Sequence, residues 1–327
     1  MGALLRLAHS IVAVVALIAI GAAAPARAQA DFPNRPIRLM VGFPAGSVAD
    51  IGARVLANRM SQILGQQVVV ESKPGAASSI AADFVAHSPK DGYTIFQVNS
   101  AIVTNAAINP KMPFDLAKDF APLALVNAVT VVLVVPPTLG VNSVKELIAL
   151  AKSKPGEILY ASTGVGTQPH MAGALLAMRA GLNLVHVPYQ GSPQAVTDLI
   201  AGRVNMMFSP ASTVVEQAKA GKLKLLASAS SKRPAFLPDT PTMEEAGVPD
   251  FDTSIWFGLV APAGTPRPVI EKLSHAIREA AKADDVVKAW RPQGIEPLDG
   301  GPEDLARHIA SETKIWGDVA ATVGLKK

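Results

Sequence analysis

The chain has 327 residues, of which 49% are hydrophobic and 17% are charged, and it contains no cysteine. This composition excludes a disordered chain, a disulfide framework, a thiol nucleophile, a thiolate zinc site and an iron–sulfur cluster. A formal net charge of only +4 and an aromatic content of 5% argue against a nucleic-acid surface, so no nucleic-acid partner is expected.

Residues 1–30 have the pattern of a secretory signal peptide. Arg6 precedes a run from Ile11 to Ala24 without a charged side chain, and A-x-A motifs follow at residues 26–30. The apolar run is too short to span a bilayer comfortably, which makes an uncleaved anchor the weaker interpretation. Cleavage near Ala28 to Ala30 therefore predicts a periplasmic protein of 297 residues and net charge +2, because the leader holds two arginines and no acid.

Beyond the leader, short β-branched runs alternate with segments of helical periodicity. Strands are predicted at residues 36–43, 67–71, 93–98, 129–135, 158–161 and 184–187. Helices are predicted at residues 48–64, 79–87, 144–152, 168–180, 193–201, 269–281 and 302–319. This alternation is typical of βαβ units, so the predicted fold class is α/β, with mostly parallel sheets flanked by helices.

Two apolar stretches, residues 127–137 and 249–264, suggest that the chain crosses twice between two domains. The predicted first domain comprises residues 31–128 plus 252–327, and the second, inserted domain comprises residues 129–251. A cleft between two such domains is a common place for a small ligand. A single continuous doubly wound sheet is the alternative.

Three loops have the same design, in which a strand is followed by Gly, Pro or Ser residues and then by a helix. A hydroxyl residue stands at the predicted N-cap of each helix: Ser47, Thr167 and Ser192. Helix N-termini attract anions, and loops at the carboxyl ends of parallel strands commonly bind ligands. Ordinary turns and caps explain any one loop, but the set predicts a site for a carboxylate or phosphate. The loop at 74–79 is a weaker fourth case.

Motifs for other chemistry are absent from the sequence. Residues 164–169, GVGTQP, lack the third glycine of a dinucleotide fingerprint, and there is no G-x-S-x-G, P-loop or H-E-x-x-H motif. The six histidines show no i, i+4 pair, so no metal, cofactor or catalytic residue is predicted. His170 is a candidate contact for an anion, with packing or capping as its alternative role.

Several stretches carry a family resemblance across essentially the whole chain after the leader. They include FPAGSVADIGARVLANRM, YASTGVGTQPHMAGALL, HVPYQGSPQAVTDLIAGRV, LPDTPTMEEAGVPDF and WFGLVAPAGTP. Because these stretches occur in the same number and order, the chain resembles the substrate-binding receptors of tripartite tricarboxylate transporters, the Bug or TctC-like family. The resemblance implies a type II-like periplasmic binding protein, not an enzyme, whose two domains close on a small organic carboxylate. It would pass the ligand to transporter subunits in the membrane or to a sensor protein.

The same resemblance implies which residues bind the ligand, chiefly through backbone N–H groups and hydroxyls. They are Phe43, Ala45, Gly46, Ser47, Ser162, Thr163, Gly164, Gly166, Thr167, Gln168, His170, Tyr189, Gln190, Gly191 and Ser192. The chain departs from the family pattern in two places. Ser47 replaces the second glycine of P-x-G-G-x-x-D, and Ser209-Pro210 stands where many members carry an acid. The second departure favours a dicarboxylate or an aromatic acid over an amino acid.

Two further functions compete with this interpretation. An exported enzyme would use His170 with Asp50 or Asp198 as acid and base, but no motif in the sequence fixes such a pair. A structural envelope protein is disfavoured by the glycine-rich loops at strand ends. The receptor is expected to be a monomer without a cofactor.

Overall fold

The computed structural model describes residues 32–109, 111–322 and 324–325. The predicted signal peptide lies outside the described residues. Within the described part of the chain, no helix combines the length and apolarity needed to cross a membrane.

Eleven strands and ten α-helices make up the described fold. The strands are β1 (Ile37–Val41), β2 (Val68–Ser72), β3 (Thr94–Asn99), β4 (Phe120–Val129), β5 (Val131–Val135), β6 (Ile158–Ser162), β7 (Leu184–Pro188), β8 (Met206–Pro210), β9 (Lys224–Ser228), β10 (Ile255–Pro262) and β11 (Ile295–Gly300). The helices are α1 (Val48–Leu64), α2 (Ser79–Ala86), α3 (Ser100–Ile108), α4 (Val144–Ser153), α5 (Gln168–Ala180), α6 (Ser192–Ile200), α7 (Ala211–Lys219), α8 (Arg267–Lys282), α9 (Asp284–Trp290) and α10 (Pro302–Thr322).

The strands form two sheets, which confirms the predicted α/β class. The first sheet has the order β11-β4-β10-β3-β1-β2, and the second has the order β7-β6-β8-β5-β9. β1 pairs in parallel with β2 and β3, and β6 pairs in parallel with β7 and β8. β10, β11, β5 and β9 make antiparallel pairs, so the sheets are mixed rather than mostly parallel.

The chain passes between the sheets through two segments that are hydrogen-bonded to each other. The first lies between β4 and β5, where the Thr130 amide donates to the Gly294 carbonyl at 3.2 Å. The second follows β9, where Ala229 N–H donates to Val131 O and Thr253 N–H donates to Ala229 O, both at 2.8 Å. Residues 129–251 thus contain the whole second sheet, and the division into two domains at these positions stays a prediction.

The apolar core explains why the connecting strand β5 is hydrophobic throughout. Val131 and Leu133 belong to a cluster that also includes Phe96 of the first sheet, whereas Val132 and Val134 belong to a cluster within the second sheet. Because successive side chains of a strand point to opposite faces, both faces of β5 are buried. One of these clusters joins the two sheets into a continuous core.

Candidate functional site

The first predicted loop is held by Asp50, a buried carboxylate in the first turn of α1. Ser47 is the N-cap of α1, and its Oγ accepts a hydrogen bond from the Asp50 amide at 3.3 Å. The Asp50 carboxylate accepts from Gly46 N–H at 2.9 Å, from Arg54 Nε at 2.9 Å and from Ser72 Oγ at 3.1 Å. The predicted N-cap at Ser47 is therefore present. The Asp50 carboxylate accepts from the Gly46 amide rather than from the Ser47 amide, which would be the donor in an ordinary capping box.

These hydrogen bonds also decide the charge of Asp50. Burial alone would raise the pKa of the Asp50 carboxyl, but the hydrogen bonds from Arg54, Gly46 and Ser72 outweigh burial and lower the pKa. Asp50 is consequently ionised, and its oxygens are occupied by the protein. This arrangement fixes the loop between β1 and α1 and does not suit an acid–base catalyst.

The rest of the first loop faces outward. Phe43 is half-buried and packs edge-to-face on Phe257, with the ring centroids 6.4 Å apart. Ala45 and Gly46 are exposed, and Gly46 has a φ of 80°. The loop thus presents backbone and the N-terminus of α1 to its surroundings.

The second loop, between β6 and α5, is tied to itself by two hydroxyl groups. Ser162 Oγ accepts from Gly164 N–H at 3.1 Å, and Thr167 Oγ1 donates to the Gly164 carbonyl at 2.7 Å. Thr167 occupies the N-cap position, but its hydroxyl makes no capping hydrogen bond, so the predicted side-chain cap is wrong. Gly164 and Gly166 have φ values of 130° and 77°, a region that favours glycine.

His170 lies beneath this loop. It is buried, and its Nδ1 accepts a hydrogen bond from Gly166 N–H at 2.9 Å. Burial, with a further contribution from His186, lowers the pKa of His170 to about 4, so its ring is neutral at pH 7. His170 therefore supports the loop from inside and does not offer a positive charge to an anion.

Gln168 connects the second loop to the segment that joins the sheets. Its Nε2 donates to the Thr253 carbonyl. Gln168 Oε1 and Thr253 Oγ1 are both buried without a hydrogen-bond partner among the described residues. A loop predicted to bind the ligand thus touches the place where the chain passes between sheets.

The third loop lies beside the second because β6 and β7 are parallel neighbours. Tyr189 N–H donates to the Ser162 carbonyl at 2.9 Å, and the Tyr189 hydroxyl donates to Asp198 at 2.9 Å. Arg203 also pairs with Asp198, at 2.8 Å. Helix α6 begins at Ser192 with Gly191 as its N-cap, so the predicted N-cap at Ser192 is wrong by one residue.

Two close approaches show which parts of the chain lie beside the first loop and beside the second loop. A Cβ atom added at Gly42, just before the first loop, would lie 2.6 Å from Ser78 Cα, so the loop at 74–79 adjoins the first loop. A Cβ atom added at Gly166 would lie 3.4 Å from Ile108 Cδ1, so the second loop approaches the end of α3. The structure thereby places the second loop beside a helix that follows a strand of the first sheet, while ligand contact by the predicted residues stays a prediction.

The electrostatics of the three loops suit an anion. No Lys or Arg lies within residues 43–47, 162–168 or 189–192, and the positive ends of α1, α5 and α6 supply the attraction. The nearby acids, Asp50 and Asp198, are both engaged by arginines. Ser209 is buried, and its hydroxyl lies 3.4 Å from the Pro210 carbonyl. Among the described residues, no cluster of three His, Cys, Asp or Glu suits a metal ion.

Sequence reasoning missed one residue of this region, His186 on β7. Its Nε2 lies 2.6 Å from Ser162 Oγ, and its ring stacks on His170 with the centroids 3.9 Å apart. Its only signal in the sequence is its place in the predicted strand at residues 184–187, whereas its register pairing with Tyr160 is seen only in the structure. That signal does not distinguish it from any other strand residue.

Comparisons with known proteins agree with this architecture. A family described as "Tripartite tricarboxylate transporter family receptor" matches residues 52–325. Protein BugT of Bordetella pertussis is 37% identical over 308 residues, which are 94% of each chain. A solved R. palustris protein with adipate is 34% identical, with a TM-score of 0.73 over 90% of this chain and 99% of that one. A Rhodopseudomonas palustris protein with bound malate is 31% identical, with a TM-score of 0.69 over 88% and 99% of the two chains.

Proposed function

This chain belongs to the tripartite tricarboxylate transporter receptor family, and we propose that it captures a small organic carboxylate without an ammonium group between its two sheets. As a member of that family it is a solute-binding receptor and not an enzyme. The expectation of a non-enzymatic binding protein is thereby confirmed, and the exported-enzyme alternative is set aside.

The observation that carries the proposal is the combination of three helix N-termini with two neighbouring acids, Asp50 and Asp198, that already pair with arginines. Backbone amides at these termini are suited to carboxylate oxygens. An ammonium group would need an unpaired acid, but Asp50 and Asp198 are engaged by arginines, and Ser209 has no charge. Two similar proteins were solved with adipate and with malate, which are both dicarboxylates without an ammonium group.

Capture would follow from closure of the two lobes about the connecting segments. The ligand binds amides of the first loop and of the second loop together, so it favours the closed arrangement over the open one. Gln168 belongs to the second loop and donates to Thr253 in a connecting segment, which supports a link between ligand binding and closure. The closed receptor would deliver its carboxylate to membrane subunits of a tripartite transporter.

A calorimetric panel tests the ligand class. The protein, unfolded and refolded to remove bound ligand, is titrated with adipate and malate, and with aspartate and glutamate as ammonium-bearing controls. We expect at least one of the first pair to bind about tenfold more tightly than either amino acid, because an unpaired ammonium costs about 1.4 kcal/mol or more on burial. Tighter binding of aspartate or glutamate would refute the ligand class, and no binding of any acid would refute the function.

Ser47→Ala tests the first loop. The Ser47 hydroxyl caps α1, so we expect the substitution to lower the stability by about 1 kcal/mol and to weaken ligand binding by a comparable free energy. Ser143→Ala is a matched control, because Ser143 caps α4 by the same bond, Oγ accepting from Glu146 N–H at 3.1 Å, and lies outside the three loops. Urea denaturation and calorimetry should show that both variants lose stability and that only Ser47→Ala loses affinity. Equal affinities for the two variants would remove Ser47 from the site.

A further inference from the structure

His186 lies outside the three loops, on the edge strand β7 of the second sheet. Its ring is the middle member of an aromatic stack, with centroids 3.9 Å from His170 and 5.0 Å from Tyr160. The planes are inclined by 12° and 29°, so the three rings lie nearly face to face. Gly173 leaves room for this stack, since a Cβ atom there would lie 3.0 Å from Tyr160 Cζ.

Two separate routes lead from the His186 ring to the second loop. The first is polar: Nε2 lies 2.6 Å from Ser162 Oγ, which itself accepts from Gly164 N–H at 3.1 Å. The second is through packing: His186 stacks on His170, whose Nδ1 accepts from Gly166 N–H at 2.9 Å. One side chain thus supports both glycines of the loop.

The second loop depends on these contacts to keep its conformation. Gly164 and Gly166 both have positive φ values, and their amides turn inward to Ser162 and His170. Val165 between them is 63% exposed, which places it on the outer side of the loop. Ser162 is fully buried, so its hydroxyl depends on protein partners rather than on bulk water.

We propose that His186 is a positioning residue for the ligand site, holding residues 162–167 in their binding shape through Ser162 and His170. This inference rests on the proposed function, because it assumes that the second loop binds the carboxylate. His186 itself does not touch the ligand. Its effect on affinity is exerted through the shape of the loop, which the inward hydrogen bonds of the Gly164 and Gly166 amides maintain.

Two substitutions separate the polar route from the stack. His186→Phe keeps an aromatic ring but loses the contact with Ser162 Oγ, whereas His186→Gln keeps a polar group long enough to reach that oxygen. Val185→Ala is the control, because Val185 is an exposed neighbour on the same strand. Amide hydrogen exchange of Gly164 and Gly166 is measured in the ligand-free protein, and adipate and malate affinities are measured by calorimetry.

We expect His186→Phe to speed exchange at Gly164 about tenfold and to weaken the preferred acid about five- to tenfold. His186→Gln should keep exchange at Gly164 within about twofold of the wild type but should speed exchange at Gly166, because it loses the stack on His170. Val185→Ala should leave exchange at both glycines and the affinity within about twofold of the wild type. Should His186→Phe fail to fold, His186→Leu removes the same contact with Ser162 Oγ while leaving Ser162 in place, and it carries the same expectation at Gly164.

The proposal is overturned if His186→Phe leaves exchange or affinity unchanged, or if His186→Gln speeds exchange at Gly164 as much as His186→Phe does. Faster exchange without weaker binding would mean that the loop is held but does not serve the ligand. If the wild type binds neither adipate nor malate nor any other acid, the proposed function fails. The exchange measurements then still decide whether His186 holds the loop.

Discussion

Raising the pH from about 5 to about 9 is expected to cost the wild-type protein a few kcal/mol of stability relative to its Glu312→Gln variant. Glu312 lies on α10 and is only 6% exposed. Its Oε2 accepts from Trp256 Nε1 at 2.7 Å and from Trp316 Nε1 at 3.2 Å. Burial raises the pKa of Glu312 to about 8, although both indole hydrogen bonds act in the opposite direction.

The direction of this change in stability follows from comparing the pKa of Glu312 in the folded and unfolded chains. The ordinary pKa of this carboxyl is 4.5, so between that value and about 8 the folded protein keeps a proton that the unfolded chain releases. The stabilising contribution is therefore complete below pH 4.5 and declines as the pH rises to about 8. The slope in that window is about 1.4 kcal/mol per pH unit at most.

The surroundings of Glu312 oppose its ionisation. Its Oε1 lies 3.9 Å from His308 Nε2, but burial lowers the pKa of His308, so this neighbour supplies no charge at neutral pH. Asp252 adds a negative charge that further raises the pKa of Glu312. A neutral carboxamide in place of the acid still offers an oxygen to both indoles.

Urea denaturation followed by far-UV circular dichroism at pH 5, 7 and 9 measures the effect. The stability of the wild type relative to Glu312→Gln should fall from pH 5 to pH 9, and Glu312→Gln should be the more stable protein at the highest pH. The lowered pKa of His170 affects both proteins alike and cancels in this comparison. Glu303→Gln is the control, because Glu303 lies on the same helix with a side chain that is 93% exposed. Equal pH slopes for the wild type and Glu312→Gln would show that the buried acid is not protonated in the folded state.

Local signals made α1 predictable from the sequence alone. Ser47 caps the helix, Asp50 lies in its first turn, and Gly65 ends it with a φ of 67°. Each of these residues acts on the backbone within one turn of its own position, so no knowledge of the fold is needed. The predicted bounds, residues 48–64, are the observed ones.

The sequence pattern did not predict strands β4, β8, β9, β10 and β11 or helices α3, α7 and α9. For β4 and α3 the reasons lie in the tertiary structure. β4 lies between β10 and the edge strand β11 of a mixed sheet, and register shifts interrupt both of its ladders. Its side chains consequently lack a clean two-residue alternation. α3 begins at a cap formed by Asn99, which also ends β3, so one residue belongs to the boundary of both elements.

The positions of the candidate loops were predictable, but the partners of their side chains were not. Asp50 depends on Ser72 of another strand, and Ser162 depends on His186, so the deciding contacts join residues far apart in the chain. The Thr167 hydroxyl had a local alternative to capping, the Gly164 carbonyl, and the geometry of two glycines decides between them. Motif and capping rules describe which groups are available, while tertiary contacts assign their partners.

Gly42→Ala is expected to cost about 3 kcal/mol of stability, at the upper end for overpacking, and to weaken carboxylate binding. The added Cβ would lie 2.6 Å from Ser78 Cα, a backbone atom that no change of rotamer can move aside. Ser78 has little freedom to yield, because residues 76–78 all have positive φ values and Asn99 Nδ2 donates to Ser78 Oγ at 3.1 Å. The first loop would be displaced instead.

Gly65→Ala is the matched control for this substitution. Gly65 has a positive φ of 67° but open space around it, so alanine there costs only about 1 kcal/mol of backbone strain and leaves the ligand loops in place. Urea denaturation and adipate and malate titrations compare the two variants. A Gly42→Ala protein no less stable than Gly65→Ala, with unchanged affinity, would contradict the close packing of the two loops.

Ser78→Gly supplies the second side of a double-mutant cycle. Glycine at position 78 removes the crowding Cβ and suits a φ of 75°, but it also gives up the hydrogen bond from Asn99. In the Gly42→Ala background we expect it to recover part of the lost stability, because the clash involves Ser78 Cβ as well as Cα. A loss equal to the sum of the two single effects would place the damage elsewhere in the first loop, whereas recovery of affinity together with stability would tie the Gly42–Ser78 contact to the ligand site.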